Sequence, residues 1–387
     1  MTCPDFLRKM PETVIDPVRR CVASGGMRIA QVAPLFERVP PHRYGGTERV
    51  VSYLTEELVA RGHAVTLFAS GDSVTRARLV PGGERSLRLH APSADAVAIH
   101  LAMLARVFER AKDFDVIHCH TDYLTLPFTR GVGVPTVVTL HGRLDLREVH
   151  PLYRAFPNVH YVSISTAQRE PVEGLKWAAT VHHGMPRDLY RFEEQPQRTH
   201  LLFLGRISPE KAPDAAIRVA VRAGVPIKIA AKVDRSDRKF FEDAVRPLLD
   251  HPLVEFLGEV DDTRKSELLS EARALLFPVD WPEPFGMVVI ESLACGTPVI
   301  ARRRGSVPEL IAHGKTGFVC ETEDEMVAAV QRVGELDRRA CREEFDRRFA
   351  VEVMAEAYLR VYERARTSVR DVVRLAPPTH ATPMLQS

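Results

Sequence analysis

The strongest constraint on this chain is a change of hydrophobic period that repeats along it and then starts over. Short apolar runs, suited to strands buried on both faces, alternate with one-sided helical segments. The first series comprises MRIAQVA (27–33), AVTLFAS (64–70), DVIHCH (115–120), TVVTL (136–140) and VHYVSIS (159–165). Thr47–Arg61 puts Val50, Val51, Leu54, Leu58 and Val59 on one helical face, and Gly62 closes that helix. A second helix is expected at about 97–112, whereas 71–93 has no pattern and reads as a loop.

The polar stretch FEEQPQRTH (192–200) reads as a linker, after which the alternation begins again. Strands are expected at LLFLG (201–205), IKIAA (227–231), VEFLG (254–258), ALLFP (274–278), PVIA (298–301) and GFVC (317–320). The intervening helices fall at Asp214–Ala223, Ser236–Leu249, Arg264–Ala272, Met287–Cys295 and Val307–His313. Such an order implies parallel sheets covered by helices on both faces. The fold class is therefore α/β, with two Rossmann-like doubly wound domains whose strand ends face a shared cleft. Residues 1–26 are expected to be a flexible extension, 27–195 the first domain and 196–348 the second. The last helices run to about 366, and 367–387 reads as a disordered tail.

Composition removes several function classes. The 53 basic and 51 acidic residues nearly balance, without the basic surplus a nucleic-acid partner requires. Cys3, Cys21, Cys119, Cys295, Cys320 and Cys341 are scattered without a C-x-x-C pair, the pattern of reduced thiols. The opening MTCPDFLRKMPETVIDPVRR is charged throughout and is no signal peptide, and no run approaches the ~20 apolar residues of a membrane span. The expected location is the cytoplasm.

The sharpest motif is DWPEPFGMVVIESLACGTPVI (280–300). Two prolines bracket Glu283 on a stiff loop ahead of a helix, where the amides of Phe285, Gly286 and Met287 suit an anion or sugar oxygens. Glu291 interrupts a helix that is otherwise apolar all round, so its carboxylate needs a partner: ligand hydroxyls, or a protein cation. The stretch E-P-F-G-M-V-V-I-E followed by A-C-G-T-P-V-I resembles the E-x7-E element of the family 4 retaining glycosyltransferases, and the resemblance spans roughly 27–365. It implies the GT-B fold, with acceptors bound by the first domain, nucleotide-sugar donors by the second, and a closing helix at 349–366 packed back toward the first domain. It assigns Glu283 to the transferred sugar near the reacting carbon and Glu291 to the ribose.

Three further elements gain meaning from it. In LGRISPEKAPDAAI (204–217), Arg206 and Lys211 lie beside a helix start. Alone they are either a solvated pair or a pyrophosphate site; the family has Arg and Lys here, although it usually follows the Lys with Gly, where this chain has Ala212. In YGGTERVV (44–51), Gly45 and Gly46 resemble the family's glycine loop over the donor phosphates, Gly46 being the preferred contact. In TLHGR (139–143), His141 stands at a strand end, where similar enzymes carry a His that contacts the sugar or positions the acceptor. His118 and His120, on alternate residues of one strand, lack the third ligand of a metal site, and Asp113-Phe114-Asp115 matches D-x-D by chance. AAKVD (230–234) replaces a glycine-rich turn common in the family, with Lys232 in reach of a phosphate. In the helix 99–112, Leu101, Leu104, Ala105 and Phe108 are expected in the core rather than on a membrane.

The resulting expectation is a retaining, metal-independent glycosyltransferase that moves a hexose from a UDP- or GDP-sugar to a hydroxyl acceptor. No cofactor is implied, because the nucleotide-sugar is a co-substrate. The acceptor class (glycan, lipid-linked or small molecule) and peripheral membrane contact stay open. The competing readings are another GT-B enzyme, such as a sugar-nucleotide epimerase or a phosphorylase, and a silent sugar-nucleotide-binding module.

Overall fold

The structure, a computed structural model, describes residues 25–42, 45–90, 94–195 and 199–375. The expectation for 1–24 lies outside these residues.

The first half runs β1 (Arg28–Val32), α1 (Gly46–Ala60), β2 (Ala64–Ser70), β3 (Arg78–Gly83), α2 (Ala96–Glu109) and β4 (Val116–Cys119). It continues through β5 (Thr136–Thr139), β6 (His160–Ser163) and β7 (Trp177–Thr180). The second half runs β8 (Leu201–Arg206), α3 (Pro213–Ala223), β9 (Ile227–Lys232), β10 (Val254–Gly258), α4 (Asp262–Glu271) and β11 (Ala274–Phe277). Then follow α5 (Met287–Ala294), β12 (Val299–Arg302), β13 (Gly317–Cys320), α6 (Glu323–Arg332), α7 (Arg338–Arg348) and α8 (Val351–Leu375). The sheet orders are β3-β2-β1-β4-β5-β6-β7 and β10-β9-β8-β11-β12-β13, with all neighbours parallel. This is the doubly wound order, twice over.

Each sheet is apolar on both faces because helices cover both. In the first lobe, Ala30, Val32, Ile117 and Val138 pack under Met103, Leu104 and Val107 of α2. On the opposite face, Ile29, Val116, Val137 and Val162 meet Val50, Leu54 and Leu58 of α1 together with Met354, Tyr358 and Tyr362 of α8. The last helix thus completes the core of the first lobe. In the second lobe, Leu201, Phe203 and Ile229 pack with Ala216 and Ala220 of α3 and Met326 of α6. Leu202, Leu204, Leu275 and Val299 pack with Leu268 of α4 and Val289, Ile290 and Leu293 of α5.

Several expectations are corrected. The stretch 71–93 holds the parallel strand β3, and Trp177–Thr180 forms β7. Both are sheet edges, only partly buried, so neither carries a continuous apolar run. The helix expected at Ser236–Leu249 is a succession of short 3₁₀, α and π turns, broken where Pro247 offers no amide hydrogen. On α2 the buried positions are His100, Met103, Leu104 and Val107, while Leu101 is exposed. The helix α8 continues to Leu375, past the expected end at 366.

The expected linker also moves. Tyr190 lies in the core of the second lobe, and the carbonyls of Arg191 and Glu193 accept from Ser270 (2.7 Å) and Arg338 (2.8 Å). The chain has therefore crossed before 192. The crossing is near Met185, whose amide donates to Phe349 (3.0 Å) and whose carbonyl accepts from Val351 (2.9 Å). Outgoing and returning strands of chain run side by side there. Polar composition at 192–200 does not mark the crossing.

Candidate active site

In a doubly wound sheet the ligand crevice lies outside the carboxyl ends of the strands where the order reverses. For the second sheet that point is between β8 and β11. Arg206 ends β8, Lys211 lies in the loop after it, and the loop after β11 carries Trp281 and Glu283, so the topology alone brings them together.

Lys211 Nζ forms an ion pair and hydrogen bond with Glu283 Oε2, and Trp281 Nε1 donates to the same oxygen at 2.9 Å. The ammonium also lies 5.4 Å from the Trp281 ring centre. Glu283 is only 7% exposed, so both its charge and that of its partner are partly withdrawn from water. Arg206 is directed elsewhere in the same loop cluster: its Nε lies 3.5 Å from Asp237 Oδ2, too far for a hydrogen bond. Ala212, at the position where the resemblance leads one to expect glycine, is left-handed (φ 50°, ψ 52°) as the residue before α3. Its methyl group accepts a conformation that costs an L-residue about 1 kcal/mol.

The Glu283 loop is clamped from behind. Gly305 (φ +50°) lies so close that a Cβ on it would meet the Glu283 carbonyl oxygen at 2.3 Å. The Ser306 amide donates to that same carbonyl (2.9 Å) and its hydroxyl to Phe285 O (2.6 Å). From the other lobe Ser165 Oγ donates to Pro284 O (2.7 Å). With every carbonyl of Glu283, Pro284 and Phe285 taken, the loop has little freedom. Gly286 (φ 87°) turns the chain into α5, and among the described residues no group accepts from the amides of Phe285, Gly286 or Met287. The Phe285 side chain is buried, and that of Met287 packs against the α1–α8 core of the first lobe.

Glu291 is satisfied by a protein cation: Lys265 Nζ lies 2.9 Å from its Oε1. Lys265 also holds Asp262 (3.1 Å), and Asp262 is bound by Arg49 of α1 at 2.6 Å. An ionic chain therefore runs from α1 of the first lobe into α5 of the second. Of the two partners left open by the sequence, the protein cation is the one seen, although it engages only one carboxylate oxygen.

Gly45 precedes α1 with φ 152° and is pressed against Pro41, whereas a Cβ on Gly46 would meet nothing within 4 Å. The backbone at Gly46 thus borders open space. Next to it, burial lifts the Glu48 carboxyl to about 7. Lys232 pairs with Asp234 at 2.9 Å, and in the facing lobe burial raises the Glu37 pKa, an effect that the charges of Arg88 and Lys232 offset only in part. The D-x-D acids are structural: Asp113 pairs with Arg110 (3.1 Å) and Asp115 with Arg28 (3.0 Å).

His141, at the end of β5, belongs to a buried polar column that sequence did not reveal. Its Nε2 is 2.8 Å from His120 Nδ1, and His120 Nε2 is 2.9 Å from Gln31 Oε1. Gln31 Nε2 reaches Tyr362 OH of α8 (3.1 Å), which lies 2.7 Å from His118 Nδ1. On its other side the His141 ring stacks on His183 (5.2 Å between centres, 18° between planes), which meets the Phe285 ring edge-on. Burial holds all these imidazoles neutral, pulling His141 down to about 3 and His118, His120 and His183 well below the ordinary value. The H-C-H triplet therefore serves as hydrogen-bonded core. Gln31, His183, Trp281, Lys265 and Ser306 carried no local signal; only the parallel pairing of β1 with β4 and of β4 with β5 aligns Gln31 with His118 and brings His120 beside His141.

Residues 187–348 match the family model for glycosyl transferases group 1, and residues 44–169 that for glycosyltransferase family 4. The chain is 27% identical to the glycogen synthase of Mycobacterium tuberculosis, over 92% of this chain and all of the relative. It is 27% identical to the phosphatidyl-myo-inositol mannosyltransferase of Mycobacterium leprae, over 88% of this chain and 98% of the relative. Among solved structures, a glycosyltransferase involved in avilamycin A biosynthesis superposes with a TM-score of 0.67 at 24% identity, covering 88% of this chain and 98% of that one. The sucrose-phosphate synthase of Thermosynechococcus elongatus superposes with a TM-score of 0.71 at 19% identity, covering 88% and 99%. Two parallel-sheet lobes, the acid and lysine joined at the switch point of the second sheet, and both family matches lead to one conclusion: the chain is a glycosyltransferase of family 4, with the GT-B fold.

Proposed function

We propose that this glycosyltransferase moves a hexose from a nucleotide-sugar, UDP- or GDP-linked, to a hydroxyl acceptor with retention of anomeric configuration and without a metal. The observation that carries the reading is the Lys211–Glu283 pair beside the free amides of the α5 start. A diphosphate fits that combination: Lys211 and Arg206 supply positive charge, and the helix start supplies N–H donors. Charge on the departing diphosphate grows as the sugar–oxygen bond breaks, so those groups act more strongly in the transition state than before it. Relatives support the donor class, since an Anabaena protein of the same fold was crystallised with UDP and glucose.

The step balances without further reagents. The bond from C1 of the sugar to the phosphate oxygen breaks and one from C1 to the acceptor oxygen forms on the same face. The acceptor's proton passes to the departing phosphate oxygen. Glu283 orients the sugar and offsets positive charge at C1; Glu291 takes the ribose hydroxyls, sharing them with Lys265. His141, neutral at every physiological pH, contacts the sugar or positions the acceptor as a hydrogen-bonding group. The free, buried Cys119, Cys295, Cys320 and Cys341 are in keeping with a reducing compartment such as the cytoplasm.

Glu283→Gln tests the assignment. Transfer should fall at least about 100-fold, while nucleotide-sugar binding by titration stays within a few-fold. A variant as active as the parent removes Glu283 from the chemistry.

A further inference from the structure

The buried column behind His141 has a direction. A phenol O–H is a stronger donor than a neutral imidazole N–H, so Tyr362 donates its hydrogen to His118 Nδ1 across 2.7 Å. The Tyr362 oxygen then accepts from Gln31 Nε2 at 3.1 Å, which turns Gln31 Oε1 toward His120. His120 must donate from Nε2 to that carbonyl, and a neutral imidazole has one N–H only, so its Nδ1 is an acceptor. The partner 2.8 Å from that Nδ1 is His141 Nε2, which therefore carries the hydrogen. His141 Nδ1 is left as a bare lone pair. It is buried and, among the described residues, has no hydrogen-bond partner.

We propose that Gln31 and His120 are positioning residues for His141: they fix its ring as the Nε2–H tautomer, so that it offers substrate an acceptor and selects a hydroxyl donor. This rests on the reading that His141 meets substrate in the cleft. An unpaired buried acceptor is costly, and a hydroxyl hydrogen delivered by the sugar or the acceptor relieves the cost only in the occupied site. The column also makes α8 part of the site, because Tyr362 sets the polarity.

The tautomer is read directly, without substrate, from ring-nitrogen NMR of protein labelled with ¹⁵N-histidine; the His141 signal is the one missing from His141→Gln. Protonated Nε2 and bare Nδ1 are expected, and protonated Nδ1 in the parent protein overturns the proposal whether or not any variant folds. Gln31→Leu removes the acceptor for His120. It should give a tautomer mixture at His141 and a kcat about 10–100-fold lower, the range for outer-shell orienting partners, with KM for the donor little changed. Gln31→Glu restores an acceptor and should recover most of kcat. Gln31→Leu that keeps both the parent tautomer and the parent kcat overturns it as well. If no nucleotide-sugar is turned over at all, the functional reading fails while the tautomer result stands, so the two failures are distinguishable.

Discussion

Ala212 shows how one methyl group records the demands of a site. The loop that delivers Lys211 ends in a left-handed residue, and the chain meets that demand with an alanine (φ 50°). Ala212→Gly should therefore raise stability by about 0.5–1 kcal/mol, seen as a higher denaturant midpoint with an unchanged slope. A lower midpoint contradicts the strain argument. The same scale shows what was legible in sequence and what was not. Glu283, Glu291, Arg206 and Lys211 could be picked out because each stands in a contiguous motif whose neighbours explain it. The partners of Glu291 and His141 could not: Lys265 is one of many surface-type lysines by sequence, and Gln31, His120 and Tyr362 meet only through strand pairing and a helix returning from the far end of the chain.

Among elements, the Glu283 loop behaves as one clamped unit. Its geometry is set by Gly305 and Ser306, some twenty residues later in sequence. Gly305→Ala forces a Cβ into the Glu283 carbonyl at a positive φ, so the loop must move. The expected result is a loss of more than about 1 kcal/mol of stability together with a large fall in kcat, measured in the same preparation. Parent-like values of both would show the clamp to be irrelevant. Element existence was read well wherever an apolar run marks the strand, as in all six strands of the second sheet, the exposed edge strand β10 included. It failed at β3 and β7 because edge strands need no apolar run, and at 235–248 because a proline breaks a pattern that otherwise looks helical.

At the scale of the molecule, the lobes are joined by polar contacts as well as by α8. Arg49 of the first lobe holds Asp262 of the second, and the Glu309 carboxylate of the second lobe accepts from the amides of Thr166 and Ala167 of the first at 2.8 and 2.7 Å. Burial raises the Glu309 pKa, but the His182 bond and those amides outweigh it and hold the group at about 2. A depressed carboxylate stabilises fully above its unfolded value, 4.5, and the benefit is lost as pH falls from there toward 2. Glu309→Gln should therefore lower Tm at pH 7 and make much less difference near pH 2.5. An equal effect at both values contradicts the linkage. Arg49→Met should cost up to about 1 kcal/mol and speed amide exchange in α4, leaving the second sheet protected; unchanged exchange would show that the ionic chain does not hold the lobes.

The proposed chemistry requires the second lobe to bind a nucleoside diphosphate through Lys211 at the switch point between β8 and β11. Titration calorimetry of UDP and GDP into the parent protein and into Lys211→Ala tests it most directly. Saturable binding of at least one of the two is expected, weakened roughly 10–100-fold in the variant, as loss of a charge-assisted hydrogen bond requires. Equal affinity in both proteins would contradict it.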